Sequence, residues 1–305
     1  MTNNIYAKVL ADSINSLGNR LTTFEVQFPK VLLAEANTHR LLSRNYSSSR
    51  AIPNAKFVDV ESFEPQYYGL NQAGMMAMQE TIDDPGKAAK IWKRMIKYCK
   101  TGSKMLNELK LHKQWSNRPN DWHTMVKGVI SGTEWTNFLW LRFHHSAQPE
   151  FQELARLISW QLDSNEPVLL NPGEWHLPYI TTERVDGVLK YFDKNYNKLS
   201  LENAQKVSSS CSAQVSYRNL DESLEKSIDI YDKLIGSDRK HSSAFEHCAT
   251  PMQLINDDVG SMLNCMHPST WEHGVTHMRR DGSLWSGNLQ GWIQYRQLIP
   301  GEAKW

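Results

Sequence analysis

Three consecutive serines followed by an arginine, Ser47 to Arg50, form a segment with clear chemical capacity. Hydroxyl groups, backbone N–H groups and a guanidinium in one loop are the donors that hold a phosphate. Ser48, Ser49 and Arg50 are therefore candidate phosphate ligands. The same composition is also typical of a solvated polar loop at a helix end, and both interpretations stay open on physical grounds.

A second candidate is Arg142, which follows the apolar residues Phe138, Leu139 and Leu141. Helical spacing places it near Asn137, across about a turn. An arginine among apolar side chains must be paired or bound to a ligand, because an unpaired buried charge is costly. An internal ion pair and a bound ligand both satisfy this requirement.

Other reactive side chains carry weaker signals. The neighbours His144 and His145 cannot both face one site on a helix, so no metal is expected. The cysteines form no CxxC pair and no regular spacing, which disfavours a disulfide framework, a structural zinc site or covalent thiol catalysis: they are Cys99, Cys211, Cys248 and Cys265.

The elements around the serine segment can be predicted from periodicity. Residues 21 to 28 alternate between apolar and polar side chains, which predicts a half-buried strand. Pro29 suits the first turn of a helix. That helix is predicted to carry His39 and Ser43 on one side and to end at Asn45, because asparagine and serine compete for backbone hydrogen bonds.

Further helices follow along the chain. Asp84 and Pro85 predict the start of a long helix. Its apolar stripe is predicted to be packed: Ala88, Ile91, Trp92, Met95, Cys99, Met105, Leu106 and Leu109. Helices are also predicted after Pro149 and over residues 219 to 235, and an extended segment over residues 207 to 217.

Length and charge limit the class of protein. The chain has 305 residues, so it can bury a large core. Its net charge is +1, which gives no electrostatic reason to bind nucleic acid or a membrane. No signal peptide and no membrane-spanning apolar run are recognised, which favours a cytoplasmic protein. A polar seam over residues 185 to 210 suggests two halves, 1–180 and 181–305.

The segment from Thr38 to Arg50, hereafter the signature segment, reads Thr-His-Arg-x-x-Ser-x-Asn-x-x-Ser-x-Arg. It resembles the signature of flavin-dependent thymidylate synthases, which usually reads Arg-His-Arg-x-x-Ser-x-Asn-Glu-x-Ser-x-Arg. Thr38 and Tyr46 depart from that pattern. Residues 137 to 150 resemble the family's second motif, Asn-x-x-x-x-Arg followed by Ala-Gln-x-Glu.

Other parts of the chain extend this resemblance. Thr133 and Ser146 stand where many family members carry a flavin-contacting arginine and a histidine. Residues 241 to 247 resemble a Ser-Pro-Phe-Glu-His element that most members place before the signature, so the order would be rearranged, as by circular permutation. The end of the chain resembles a longer subgroup often found in bacteriophages, which implies the cytoplasm of a bacterial or phage-infected host cell. The alternative for His247 is a histidine that satisfies its own hydrogen bonds at a strand start.

The resemblance implies an α+β fold in which an antiparallel sheet packs with long helices, the second half completing the fold of the first. It implies a homotetramer with FAD between the subunits. It assigns cofactor contacts to Thr38, His39, Arg40, Asn137 and His247. It assigns the nucleotide phosphate to Ser48, Ser49, Arg50 and Arg118, and the pyrimidine base to Arg142 as the catalytic residue.

The first functional hypothesis is therefore an enzyme, a flavin-dependent thymidylate synthase-like methyltransferase. It would convert dUMP to dTMP, with methylenetetrahydrofolate as carbon donor and NADPH as reductant. In the second hypothesis, the departures at Thr38, Thr133 and Ser146 accompany hydroxymethylation of dUMP or dCMP for modified phage DNA. The third is a nucleotide-binding homologue without catalysis.

Overall fold

The central sheet of the protein has the strand order β3-β4-β2-β1-β5 in the computed structural model, which describes residues 4–74, 76, 80–216, 220–236, 238–253 and 267–302. Neighbouring strands are antiparallel, except that β5 runs parallel to β1. The strands are Tyr6–Ile14 (β1), Arg20–Pro29 (β2), Ser43–Tyr46 (β3), Met125–Gly132 (β4) and Val168–Leu169 (β5). The predicted α+β class and the strand over residues 21 to 28 are confirmed.

One face of this sheet carries the first hydrophobic core. Phe24, Val26 and Phe28 of β2 are fully buried there, since alternate residues of a strand point to one face. Helices α5 (Thr136–Arg142) and α6 (Pro149–Ser164) cover them. The helix predicted after Pro149 is confirmed, and its buried residues are Glu150, Phe151, Leu154, Ala155 and Ile158.

The signature segment does not continue as a helix to Asn45, so that prediction is wrong. The chain forms a 3₁₀ turn over Lys30–Leu32 and a short helix α1 over Leu33–Asn37, and residues 43 to 46 are then the edge strand β3. Pairing with β4 satisfies the backbone groups of β3. Arg44 donates to the carbonyl oxygens of Ala36 and His39, which closes the end of α1.

The long helix is confirmed, but the packing of its stripe is not. α2 (Asn54–Phe57), α3 (Pro85–Glu108) and α4 (Lys113–Ser116) follow the signature segment, and the Asp84 carboxylate accepts a hydrogen bond from the backbone N–H of Lys87. Only Ile96 and Ser103 of α3 are fully buried. Most of the predicted apolar stripe is half-buried or exposed.

A second core lies on smaller sheets and two further helices. β6 (Thr181–Val185), β7 (Val188–Phe192) and β8 (Lys198–Leu199) form an antiparallel sheet, followed by α7 (Leu201–Ala213) and α8 (Leu224–Ile235). The helix predicted over residues 219 to 235 is confirmed from Leu224 onward, as α8, and residue 219 lies outside the described residues. The predicted extended segment is wrong over residues 207 to 213, which are helical and begin after a Ser200 cap.

The last described strands close this second core. They are β9 (Ala249–Pro251), β10 (His277–Met278), β11 (Leu284–Ser286), β12 (Leu289–Gln290) and β13 (Trp292–Gln294). The core joins Leu21 to Trp292, from the two ends of the chain, and the division at residue 180 stays a prediction. Cys265 lies outside the described residues, and no described helix is long and apolar enough to cross a membrane.

Gly128 in β4 gives a test of the β3–β4 pairing. A Cβ at this position would lie 2.3 Å from a ring carbon of Tyr46, so we expect Gly128→Ala to lower the free energy of unfolding by about 1–3 kcal/mol. Urea denaturation would measure this value. In a Tyr46→Ala background the clash is gone, so the same change should cost much less. An equal cost in both backgrounds would contradict the packing of Tyr46 on β4.

Candidate functional site

A cavity of about 620 Å³ opens beside the serine segment at one end of the central sheet. Ser47 and Ser49 contribute to its wall, and three lysines surround them: Lys30, Lys56 and Lys127. Ile52, Pro53, Phe57, Val60 and Met125 supply apolar surface, and Asp59 and Glu61 supply carboxylates. A cavity of this size that combines apolar surface with several polar groups is typical of a small-molecule site. We call it the serine-loop pocket.

The loop that forms the pocket wall is held by buried amides. Asn117 donates from Nδ2 to the carbonyl oxygens of Ser49 and Ile52, at 2.7 and 2.9 Å. Asn54 in turn donates to Asn117 Oδ1 at 2.8 Å and to Ser103 Oγ at 2.9 Å. Both asparagines are buried, so these bonds are shielded from water. The backbone around Ser49 is therefore fixed before any ligand arrives.

Two of the three lysines already have partners. Lys30 Nζ lies 2.6 Å from Asp121 Oδ1, and Lys127 Nζ lies 2.9 Å from Glu25 Oε2. Lys56 is exposed and forms no ion pair with any residue of the described chain. The pocket thus combines two cations of fixed position with one that is available to an anionic ligand. Asp121 also accepts from Arg118 at 2.8 Å.

The predicted phosphate ligands are only partly brought together. Ser49 lines the pocket, and its hydroxyl donates to Asp121 Oδ2 at 3.3 Å. Ser48 and Arg50 belong to the same loop but are not part of the pocket wall, and Arg50 is exposed. Arg118 reaches the loop only through Asp121. Sequence reasoning missed the lysines, because they come from three separate elements that meet only in the fold.

Arg142 lies in a different place, against α1. Its Nε donates to His39 Nε2 at 2.9 Å, one of its terminal nitrogens donates to Thr38 Oγ1 at 3.4 Å, and its guanidinium lies 4.9 Å from the centre of the Phe151 ring. His39 accepts this bond and is neutral. Burial, then Arg142 and then Arg44, lower the pKa of His39 to about 4.

No carboxylate in the described chain forms an ion pair with Arg142. Burial lowers the pKa of Arg142, and Glu35 partly offsets this without contacting it in an ion pair. A guanidinium has five N–H donors, and a neutral histidine does not cancel its charge. Arg142 is therefore a half-buried cation with remaining donor capacity. The ion pair left open by the sequence is not formed.

The strand β3 separates this cluster from the serine-loop pocket. Ser43, at the start of β3, pairs with Ser131 beside the end of β4, while Ser47 follows the other end of β3. Four strand residues span roughly 13 Å. Arg142 and the serine loop therefore do not meet in one site within one chain. Arg40 and Asn137 are exposed.

His247 belongs to a buried chain of polar side chains that crosses the sheet. Its Nδ1 lies 2.8 Å from Ser131 Oγ, which lies 2.6 Å from Thr23 Oγ1. Thr23 Oγ1 is 2.8 Å from His176 Nε2, and His176 Nδ1 is 2.9 Å from Ser13 Oγ. His247 Nε2 has no partner within the described residues. We call these five residues the histidine chain.

The histidine chain is electrically neutral. Burial lowers the pKa of His247 to about 3, and burial together with His247 lowers the pKa of His176 to about 3. Nothing in the sequence around His176 distinguished it from other polar residues. His247 precedes β9, as its alternative interpretation required, but only one of its two ring nitrogens has a hydrogen-bond partner among the described residues.

The residues predicted to hold FAD do not fit one flavin site in this chain. Thr38 and His39 bind Arg142 on the sheet face that carries the first core, where His39 packs on Phe138. His247 contacts Ser131, whose side chain points to the opposite face. The sheet lies between them, so these residues cannot contact one flavin within a single chain.

Ser43 of the signature segment has a structural partner that the sequence did not reveal. It donates to Asn288 Oδ1 at 2.8 Å and accepts from Gln294 Nε2 at 3.1 Å. Asn288 follows Gly287 in the two-residue turn between β11 and β12, where Gly287 has a positive φ of 57°. A Cβ on Gly287 would lie 2.5 Å from the Gln294 side-chain oxygen. This turn therefore needs glycine.

Thr133 and the described cysteines also have structural surroundings. Thr133 Oγ1 accepts a hydrogen bond from the backbone N–H of Gln290 at 3.0 Å. Burial raises the pKa of Cys211 and raises that of Cys248 to about 11, so neither is a thiolate at neutral pH. Cys99 Sγ accepts from Trp122 Nε1 at 3.3 Å. No group of metal-binding side chains occurs in the ranges that the structure describes.

Comparison with known proteins gives only a distant likeness. No protein-family model and no curated protein matches the chain. Solved structures of a UMP/dUMP methylase, PolB from Streptomyces cacaoi, are similar in part. The form bound with 5-Br dUMP has 13% identity and a TM-score of 0.45, covering 54% of this chain and 91% of that one. The form bound with 5-Br UMP has 15% identity and a TM-score of 0.46, with coverages of 54% and 90%.

These findings correct the family assignment. The chain was predicted to be a flavin-dependent thymidylate synthase of a longer bacteriophage-type subgroup with rearranged motif order. No family model supports that assignment, and the similar structures are those of a protein described as a UMP/dUMP methylase. The chain is therefore not placed in that family. Short motifs such as the signature segment can recur without common descent, and here the helix expected within it is a strand.

The neutral state of His247 predicts how stability depends on pH. The unfolded chain binds a proton at this side chain below about pH 6.5, whereas the folded chain does so only near pH 3, so its stability share is lost as pH falls between these values. In His247→Gln, the loss of unfolding free energy between pH 7.5 and 5.0 should be smaller by about 2 kcal/mol.

Urea denaturation at the two pH values would measure this difference. The matched control is His144→Gln, because His144 is exposed and should leave the pH dependence unchanged. An equal loss in wild type and His247→Gln would contradict the buried, neutral state of His247.

Proposed function

We propose that the chain binds a pyrimidine nucleoside monophosphate in the serine-loop pocket and transfers a one-carbon unit to C5 of the base. One observation carries the proposal: the pocket places Ser47, Ser49 and three lysines beside an apolar surface. A nucleotide needs both kinds of surface, because its phosphate is a dianion and its base is flat and weakly polar. The reaction class is an extension of this binding proposal.

The phosphate would lie at the lysines. Lys56 is the cation without an ion-pair partner in the described chain, and it is the group that a phosphate would engage most directly. Lys30 and Lys127 would contribute to the positive potential while they remain paired with Asp121 and Glu25. Ionic hydrogen bonds of this kind contribute about 1.5–3 kcal/mol each.

The base and sugar would lie on the remaining wall. Phe57, with Ile52 and Pro53, offers an apolar surface against which a pyrimidine ring can pack. Asp59 and Glu61 are acceptors that suit the hydroxyl groups of a sugar. Because Asn117 fixes the backbone of the loop, binding costs little ordering of this wall.

The chemical step rests on Arg142. C5 of a pyrimidine is a poor nucleophile, and a permanent cation against the ring stabilises the negative charge that develops in it. Arg142 offers such a cation, since His39 orients it without neutralising it. Arg142 lies beyond β3 from the pocket of its own chain. Catalysis by Arg142 therefore requires either that Arg142 of another chain reaches the bound base, or that the nucleotide occupies another position.

The three functional hypotheses keep their order for the substrate and the product. Conversion of dUMP to dTMP is the first, hydroxymethylation of dUMP or dCMP the second, and nucleotide binding without catalysis the third. Methylenetetrahydrofolate, NADPH and FAD remain predicted participants, each tested by omission from the reaction. Nothing in the arrangement of the described residues supports FAD over a flavin-free reaction.

Lys56 tests the binding site. We expect Lys56→Ala to weaken dUMP binding by about 10–100-fold, because it removes one ionic contact with the phosphate. Isothermal titration calorimetry would measure the dissociation constant. Lys198→Ala is the matched control, since it removes the same charge from the exposed strand β8. Equal affinities in Lys56→Ala and the wild type would refute the pocket as the phosphate site.

Arg142 tests the reaction. Purified protein would receive dUMP or dCMP with methylenetetrahydrofolate and NADPH, with and without FAD, and mass spectrometry would give the mass of the nucleotide product. We expect a one-carbon increase that is lost at least about 100-fold in Arg142→Ala, because a preorganised charge contributes about 3 kcal/mol to such steps. Retained turnover in Arg142→Ala would exclude this residue. Binding without product from either base would favour the non-catalytic hypothesis.

A further inference from the structure

The long helix α3 carries an apolar face that nothing in the described chain covers. Another face of α3 packs on the rest of the chain, because Ile96 and Ser103 are buried and Trp92 Nε1 donates to the Phe63 carbonyl oxygen. The uncovered face is large, because Tyr98 is 70% exposed and Leu109 is 80% exposed. Its members, which we call the α3 stripe, are Ile91, Met95, Tyr98, Gly102, Met105 and Leu109.

The α3 stripe has the spacing of a coiled-coil seam. Successive members lie four, three, four, three and four residues apart, as the inner positions of a heptad do. Lys93, Lys100 and Lys104 lie on the opposite face of the helix by the same helical geometry. A second helix can therefore pack along the stripe without meeting that row of lysines.

Gly102 indicates that something approaches the stripe closely. It lies inside a 24-residue helix, where glycine lowers stability relative to alanine. A Cβ at this position would meet no atom within 4 Å, so packing within the chain does not require glycine. Its absence of a side chain creates a gap in the stripe, and that gap lies four residues from the most protruding ring, Tyr98.

We propose that α3 pairs antiparallel with α3 of a second copy of this chain about a two-fold axis. In this register Tyr98 packs over the partner's Gly102, Met95 meets the partner's Met105, and Ile91 meets the partner's Leu109. Each Tyr98 ring thus fills the gap at the partner's Gly102, and symmetry gives this contact twice, as a self-complementary two-fold interface requires. A parallel pair would instead place one Tyr98 ring on the other and leave both gaps empty.

The charges at the edge of the stripe agree with the same register. Arg94 and Glu108 lie on one edge, fourteen residues apart by their numbering, and Glu108 is the acidic residue of α3. In the antiparallel pair Arg94 faces the partner's Glu108, and symmetry repeats this contact. Neither residue forms an ion pair within the described part of its own chain. One α3 helix therefore carries both members of the ion pair that the two-fold interface forms twice.

Sedimentation velocity on the full chain tests the pairing. We expect a dimer whose dissociation constant rises about tenfold in Arg94→Glu and in Glu108→Arg, because each places two like-charged pairs at the interface. The double variant R94E/E108R exchanges the charges and should return to within about threefold of wild type. Lys104→Glu is the matched control from the opposite face and should leave dimerisation unchanged.

A steric variant gives an independent result. Gly102→Leu has room in the single chain, so its unfolding temperature should match or exceed that of the wild type at concentrations where both are monomeric. At higher concentrations it should block the partner's Tyr98 and stay a monomer. The proposal is overturned if the wild type is monomeric at high micromolar concentration, or if the dimer tolerates Gly102→Leu. It is also overturned if the double charge variant fails to restore what the single variants lose.

Discussion

The pairing of β3 with β4 decides what the signature segment can do. In this ladder alternate side chains point to opposite faces, so Arg44 turns toward α1 and Ser43 turns toward the C-terminal strands. A slip of one residue would exchange the two faces. The glycine at position 128 lets the Tyr46 ring lie on β4 and thereby fixes the register. The separation of Arg142 from the serine loop follows from this one ladder.

Periodicity predicted the elements whose packing is local. β2, α6, α8 and the start of α3 came from alternation or helical spacing with a recognisable cap, and the structure confirms them. The strand β3 could not be predicted in this way, because four polar residues carry no clear period. Its conformation depends on β4, about 80 residues later in the chain. The buried serines of α7 misled for a related reason: serine is common in loops, and only tertiary packing buries it here.

The sequence predicted which types of residue form the candidate site better than it predicted which of them lie together in the fold. The sequence identified the serine loop as a candidate phosphate site and Arg142 as either ion-paired or bound to a ligand, and Arg142 does lack a carboxylate partner in the described chain. Their separation by β3 could not be read from spacing along the chain. The pocket lysines come from the 3₁₀ turn after β2, from α2 and from β4, so no local motif joins them. The missing information is in each case a long-range contact.

The histidine chain has a consequence for where its protons lie. Thr23 and Ser131 each have one hydrogen to donate and no acceptor outside the histidine chain among the described residues, so the hydrogen bonds from Ser13 to His247 must all run in the same direction. There are two such arrangements, and each fixes the tautomer of both imidazoles at once. One leaves an N–H of His247 without an acceptor, and the other leaves only a lone pair, which costs less when buried. Protonation on Nδ1 at His247 thus dictates the tautomer of His176, on the far side of two strands.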